Sequence, residues 1–177
     1  FVSRFTEKAA EYSFGDPFNP NTRVGTVIDE AAARNLEEKI TKAVAQGARV
    51  LYGGQRSGAL LAPTVLTQVP RTAEMVVEES FGPLAPIIAV KDLDDAIQLA
   101  NATAYGLSSG VVTNDMQKAI YAIKELKTGT VNINEVPGYR IEKSPFGGIR
   151  DSGLGIKEGV IEAMKAFSYI KTFSLPW

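Results

Sequence analysis

Two residue types are missing altogether from this 177-residue chain: it holds no cysteine and no histidine. Those zeros exclude disulfides, a thiol nucleophile within the chain, Cys/His metal sites and any triad that needs an imidazole base. An excess of one charge is missing too. Nineteen Lys and Arg stand against 20 Asp and Glu, a net charge of −1, which gives no electrostatic case for nucleic acid or an anionic membrane as partner. No apolar run approaches the roughly 20 residues of a membrane span. No signal peptide opens the chain, and it carries no internal repeat, low-complexity tract or long charge run. No metal, no nucleic acid and no membrane are therefore expected, and the expected location is cytoplasmic.

What is present is ordinary for a globular domain: 45% hydrophobic and 22% charged residues, in a length that suits one domain with a real core. The first residue is Phe1, and the pattern there reads as the middle of an amphipathic helix over residues 1–12, with Phe1, Val2, Phe5 and Ala9 on one side. An N-terminus made by truncation, proteolysis or trimming is the expectation. A Pro/Gly/Asn loop follows over residues 15–21. Asp29 is a good N-cap for a helix striped by Ala33, Leu36, Ile40, Ala43 and Val44 and stopped at Gly47. Residues 49–52 read as a short strand, and residues 61–69 and 84–90 as two more.

The pattern then repeats. Asp92 should cap a helix striped by Leu93, Ala96, Ile97 and Ala100, and Val111-Val-Thr113 reads as a strand. Asn114 or Asp115 should cap a helix that ends at Gly129, and residues 130–134 are strand-like. Strands alternating with helices predict an α/β fold: an open parallel sheet with helices on both faces and right-handed crossovers. Ligands of such sheets sit beyond the carboxyl ends of the strands, where Asn134 falls. Residues 153–159 hold Gly153, Gly155 and Gly159 at GxGxxxG spacing with no good strand before them, so they read as turn glycines rather than a nucleotide loop. A helix over about residues 157–166 leads to a lone strand at residues 169–173, which lacks a local partner and would need an edge elsewhere.

The chain is organised around Glu78-Glu79-Ser80-Phe81-Gly82-Pro83, an acidic pair and an aromatic set between two strand-like runs. Ionised Glu only accepts hydrogen bonds, so Glu79 could take the two hydroxyls of a ribose, a known device in dinucleotide sites. Phe81, two residues on, shares its face if the backbone is extended, and could pack on a flat ring. A surface carboxylate and a core Phe are the plainer alternative.

This stretch resembles the glutamate–phenylalanine signature of the NAD(P)-dependent aldehyde dehydrogenase superfamily. Further motifs follow in that family's order and spacing: residues 92–101, Tyr105-Gly-Leu107, Gly129-Thr-Val131, Asn134 and Ser144-Pro-Phe-Gly-Gly148. The resemblance covers essentially all 177 residues. It implies the later part of a catalytic domain over residues 1–148 and a tail with an oligomerisation strand over residues 149–177. The family's nucleophilic cysteine, general-base glutamate and glycine-rich cofactor domain lie upstream of the helix that opens this chain. The implied reaction is oxidation of a small aldehyde to its carboxylic acid with NAD or NADP, in a homodimer or homotetramer. A non-catalytic fragment, or a binding and assembly module, is the alternative for the chain as it stands.

The resemblance assigns roles residue by residue. Glu79 would hold the nicotinamide ribose, Phe81 would pack near it, and Leu107 would lie by the nicotinamide. Asn134 would hydrogen-bond the carbonyl oxygen, with an amide capping the strand end as the plain alternative. Phe146 would wall the aldehyde channel, or else anchor the core beneath its turn. Ser80, in place of the commoner aliphatic residue, should point away from the cofactor. Arg140 lies in the loop where the family varies its substrate contacts, and a guanidinium fork suits an anionic group. The loop is most similar to that of phosphonoacetaldehyde dehydrogenases, with lactaldehyde and succinate-semialdehyde enzymes as near relatives. A solvent-facing Arg140 paired with Glu135 or Glu142 is the alternative.

Overall fold

The structure, a computed structural model, describes residues 1–155 and 158–176. The chain divides into two compact units, Phe1–Val90 and Lys91–Trp177. The division falls inside the segment read as a partial catalytic domain, at a point no composition shift marks.

In the first unit, α1 (Val2–Ala10) lies against β1 (Arg49–Tyr52) and β4 (Thr64–Thr67). α2 (Glu30–Ala45) begins as its sequence dictates: Asp29 Oδ1 accepts from the Ala32 amide at 2.7 Å, and Glu30 holds Arg34 one turn on at 2.6 Å. Its inward stripe is Ala33, Leu36, Lys39, Ile40 and Ala43, and the chain leaves it through Gly47 at φ +106°. Leu36 and Ile40 pack with Leu61, Leu66 and Met75 in the core. Each such side chain removed from water contributes about 1.5–3 kcal/mol before entropy is counted. Lys39, buried among them, reaches Glu74 at 3.7 Å, and Lys42 reaches the same carboxylate at 2.9 Å.

The sheet of this unit has the order β1-β4-β5, with β5 at Leu84–Ile87. β4 and β5 run parallel, as expected, but β1 runs antiparallel to β4. No helix intervenes between β1 and β4. The link is a tight hairpin, β2 (Arg56–Ser57) with β3 (Leu60–Leu61), so a parallel crossover is not available. The run read as one strand over residues 61–69 is thus two pieces broken at Ala62-Pro63. A further short helix, α3 (Glu74–Val77), precedes the acidic motif and carries no strong periodic signal of its own.

In the second unit, Asp92 caps α4 (Leu93–Ala100) by accepting from Asp95 at 2.9 Å, and Asp115 caps α5 (Met116–Glu125) through Gln117 and Lys118. Between and after them lie β6 (Ser108–Val111) and β7 (Thr130–Ile133), paired in parallel from Ser108↔Thr130 to Val111↔Ile133. β6 forms earlier than its β-branched residues suggest. Gly110 lets the chain at Glu135 and Pro137 cross close above it, where any side chain would collide with the Glu135 carbonyl. α5 also stops before Gly129. The Asn101 side chain at the end of α4 donates to Glu125 O and accepts from Lys127 N, both at 2.8 Å, and so terminates α5 at Glu125. A 3-10 turn (Arg150–Ser152) and α6 (Val160–Ala166) follow.

The fold is therefore α/β, with mixed rather than purely parallel pairing. The strand expected at residues 169–173 has no ladder among the described residues. Tyr169 and Ile170 are fully exposed, as an unpartnered extended segment must be.

Candidate functional site

The acidic motif forms a raised turn on the first unit. α3 ends at Val77, Glu78 is extended, and Glu79 is exposed. Phe81 then adopts φ +48° with its ring 82% exposed. The expectation that Phe81 shares a strand face with Glu79 does not hold, because the backbone is not extended there. The cause lies one residue on. Gly82 passes so close to the Leu36 side chain of α2 that a Cβ would overlap it, and Pro83 O is fixed by the Thr64 amide at 2.8 Å. Docking the turn onto α2 and β4 therefore twists Phe81 into the left-handed region, at a cost of roughly 1–2 kcal/mol. A large aromatic held there and left in water is the kind of local strain found at ligand sites. Ser80 turns the other way: its hydroxyl is buried and finds no partner among the described residues.

On the second unit, Leu107 precedes β6 and is 43% exposed. Asn134 follows β7 at φ +58°. Both ends of its amide are engaged: Oδ1 accepts from the Thr113 amide at 2.9 Å, and Nδ2 donates to Thr113 O at 3.1 Å. The Thr113 hydroxyl in turn accepts from the Asp115 amide, so the end of β7, the end of β6 and the start of α5 form one bonded chain.

The loop over residues 135–146 is pinned by Asn132, whose single Nδ2 donates to Val136 O at 3.0 Å and Tyr139 O at 3.1 Å, with Pro137 O at 3.3 Å. Within the loop the guanidinium of Arg140 sits 4.9 Å from the Phe146 ring centroid. Its Nη1 reaches Glu158 Oε2 at 3.3 Å, rather than Glu135 or Glu142. Glu158 is brought there by the backbone, since Phe146 and Glu158 exchange N–H···O bonds as an antiparallel bridge. Beneath lies a pocket of about 80 Å³, lined by Thr130, Asn132, Tyr139, Arg140, Ser144 and Phe146 among others. The Thr130 hydroxyl is buried without a partner among the described residues.

The structure thus gathers Arg140 and Phe146, and separately presents Glu79 and Phe81 on one turn. Sequence reasoning missed Glu158, Asn132 and Thr130. Asn is depleted in strands, so Asn132 within β7 carried a signal. Glu158 carried none, because its contact depends on the chain doubling back over 18 residues. Among the described residues, no group of His, Cys, Asp or Glu could hold a metal ion, and no helix is long and apolar enough to cross a membrane.

Residues 1–173 match the aldehyde dehydrogenase family. A sulfoacetaldehyde dehydrogenase from Neptuniibacter caesariensis is 38% identical over 172 residues, which cover 97% of this chain and 38% of that protein. Among solved structures, a glyceraldehyde-3-phosphate dehydrogenase from Methanocaldococcus jannaschii complexed with NADP superposes with TM-score 0.90 at 38% identity, over 96% of this chain and 37% of that one. Aldehyde dehydrogenase 21 from Physcomitrella patens, in complex with the reaction product succinate, gives TM-score 0.87 at 39% identity, over 92% and 34%. The chain spans little more than a third of the length of each of these relatives.

Proposed function

Because the chain belongs to the aldehyde dehydrogenase family, we propose that it is the C-terminal part of an NAD(P)-dependent enzyme that oxidises a small anionic aldehyde to its carboxylic acid. The overall change is aldehyde, oxidised nicotinamide cofactor and water to acid, reduced cofactor and a proton. The thiolate that attacks the carbonyl has to come from outside these 177 residues, which contain no cysteine.

The residues present suit a nicotinamide cofactor, which when bound accepts the hydride. Glu79 offers an exposed carboxylate that can accept from both ribose hydroxyls, and Phe81 offers an exposed ring two residues away. Leu107 is proposed to add an apolar contact near the nicotinamide. For Asn134 the bonds to Thr113 favour bracing of the strand ends, and the second Nδ2–H is the donor that the alternative role, a hydrogen bond to the substrate carbonyl oxygen, would use.

The substrate reading is carried by one observation: a half-exposed guanidinium over Phe146 beside a small, mainly apolar pocket into which Thr130, Asn132 and Ser144 bring polar groups. Arg binds phosphonate, sulfonate or carboxylate oxygens through its planar fork. Sulfoacetaldehyde and succinate, named for two of the relatives, both belong to an anionic class. Phosphonoacetaldehyde is the specific substrate proposed, with lactaldehyde and succinate semialdehyde as the alternatives. A charge-assisted hydrogen bond contributes roughly 1.5–3 kcal/mol, and the exposure of Arg140 favours the low end. In the full-length enzyme, Arg140→Ala should then lower kcat/KM for phosphonoacetaldehyde about tenfold and spare propanal. An equal loss on both substrates would return Arg140 to a loop-supporting role.

A further inference from the structure

We propose that Glu158 sets how strongly the enzyme discriminates between anionic and neutral aldehydes, by occupying Arg140 when no anion is bound. This rests on the reading of Arg140 as the anion-binding group. Glu158 is not a chance surface neighbour. Its backbone exchanges two hydrogen bonds with Phe146, and Val160 N donates to Glu142 O at 3.2 Å just beyond it. Gly159 lies at φ +117° against Ser144 O, where a side chain would be crowded. Residues 158–160 therefore clasp the loop over residues 142–146, and the clasp holds the Glu158 backbone where its side chain can reach Arg140. The guanidinium consequently has a ring beneath it and a carboxylate within reach beside it.

The pair is built to be exchanged. At 3.3 Å, with the two side chains 51% and 70% exposed, it is a weak ion pair. An incoming anion binds the same guanidinium and must either displace Glu158 from Nη1 or share the fork with it. Both outcomes penalise the anion, and the repulsion grows with its charge. Neutral aldehydes meet neither penalty. Glu158 is thus a positioning residue that acts through Arg140, and it grades substrates by charge.

The test uses the full-length enzyme with Glu158→Gln, Glu158→Asp, Arg140→Ala and the Arg140→Ala/Glu158→Gln double variant. Because the clasp is made by backbone, these exchanges leave it in place; Glu158→Ser removes the charge equally if the Gln variant fails to fold. The readout is the ratio of kcat/KM for phosphonoacetaldehyde or succinate semialdehyde to that for propanal, which cancels any general loss of activity. Glu158→Gln should raise the ratio about two- to fivefold for the semialdehyde, chiefly through KM, and more for the doubly charged phosphonate. Glu158→Asp should stay at the wild-type ratio, and the gain should vanish when Arg140 is already Ala. If Arg140→Ala lowers the ratio but Glu158→Gln leaves it unchanged, the inference falls and the substrate reading stands. A gain that persists without Arg140 also overturns the inference. If Arg140→Ala leaves the ratio unchanged, the substrate reading itself fails.

Discussion

Asn134→Ala separates two jobs that one amide could do. The structure gives that amide two hydrogen bonds, to the amide and the carbonyl of Thr113, on a backbone at φ +58°. Each bond contributes about 0.5–1.5 kcal/mol, and at an exposed site the low end applies. Ala in the left-handed region costs roughly 1 kcal/mol more than Asn, which tolerates it. The expected loss is therefore about 2 kcal/mol of stability, read as a fall in the urea midpoint of the 177-residue chain at constant slope. Asn134→Gly should lose less, since it forfeits the bonds but not the backbone fit. Asn134→Asp keeps the acceptor for Thr113 N but turns an oxygen toward Thr113 O, so it should not rescue. In the full-length enzyme the Ala variant should keep kcat within a few-fold. Removal of a carbonyl-polarising donor would instead cost about 10²–10³ in kcat. An unchanged urea midpoint together with such a loss of kcat would refute the bracing argument and restore Asn134 to the reaction centre.

Acid should weaken the first unit through Glu74, which the hydrogen bond from Lys42 holds below its ordinary 4.5. A carboxyl depressed by folding stabilises above that value, and its contribution is lost as pH falls through the lower folded value. Glu74→Gln should therefore flatten the acid limb of urea midpoints between about pH 6 and about pH 3, and an unchanged slope would count against the pair. Deleting residues 168–177 from the full-length enzyme should dissociate the proposed homodimer or homotetramer, because Tyr169 and Ile170 are left wholly in water within the single chain; intact assembly in sedimentation would show the tail to be dispensable. The 177-residue polypeptide alone should reduce no NAD(P) with any aldehyde, since it has no cysteine, and turnover by a preparation of intact mass near 19.0 kDa would overturn that.

The parts of this molecule that could be read from its sequence are those whose cause is local. Asp29, Asp92 and Asp115 cap their helices because a short carboxylate before an apolar stripe satisfies amides two or three residues on, whatever the rest of the chain does. The Glu79 and Phe81 turn stood out because an acidic pair beside Gly-Pro is unusual between two strand-like runs. What escaped depends on approach between distant segments. β1 turns antiparallel because the residues 56–61 hairpin is too short for a crossover, and β6 starts at Ser108 because Gly110 lies under the loop from Glu135. Propensity favoured Val112 and Thr113 for that strand, yet the Thr113 backbone bonds to the Asn134 side chain rather than to β7. The partner of Arg140 escaped for the same reason. Glu135 and Glu142 are near in sequence, but Glu158 is the carboxylate that a backbone bridge to Phe146 carries into place. The same bridge that hid Glu158 from local reasoning places a carboxylate beside Arg140, which is what the proposed grading of substrates by charge builds on.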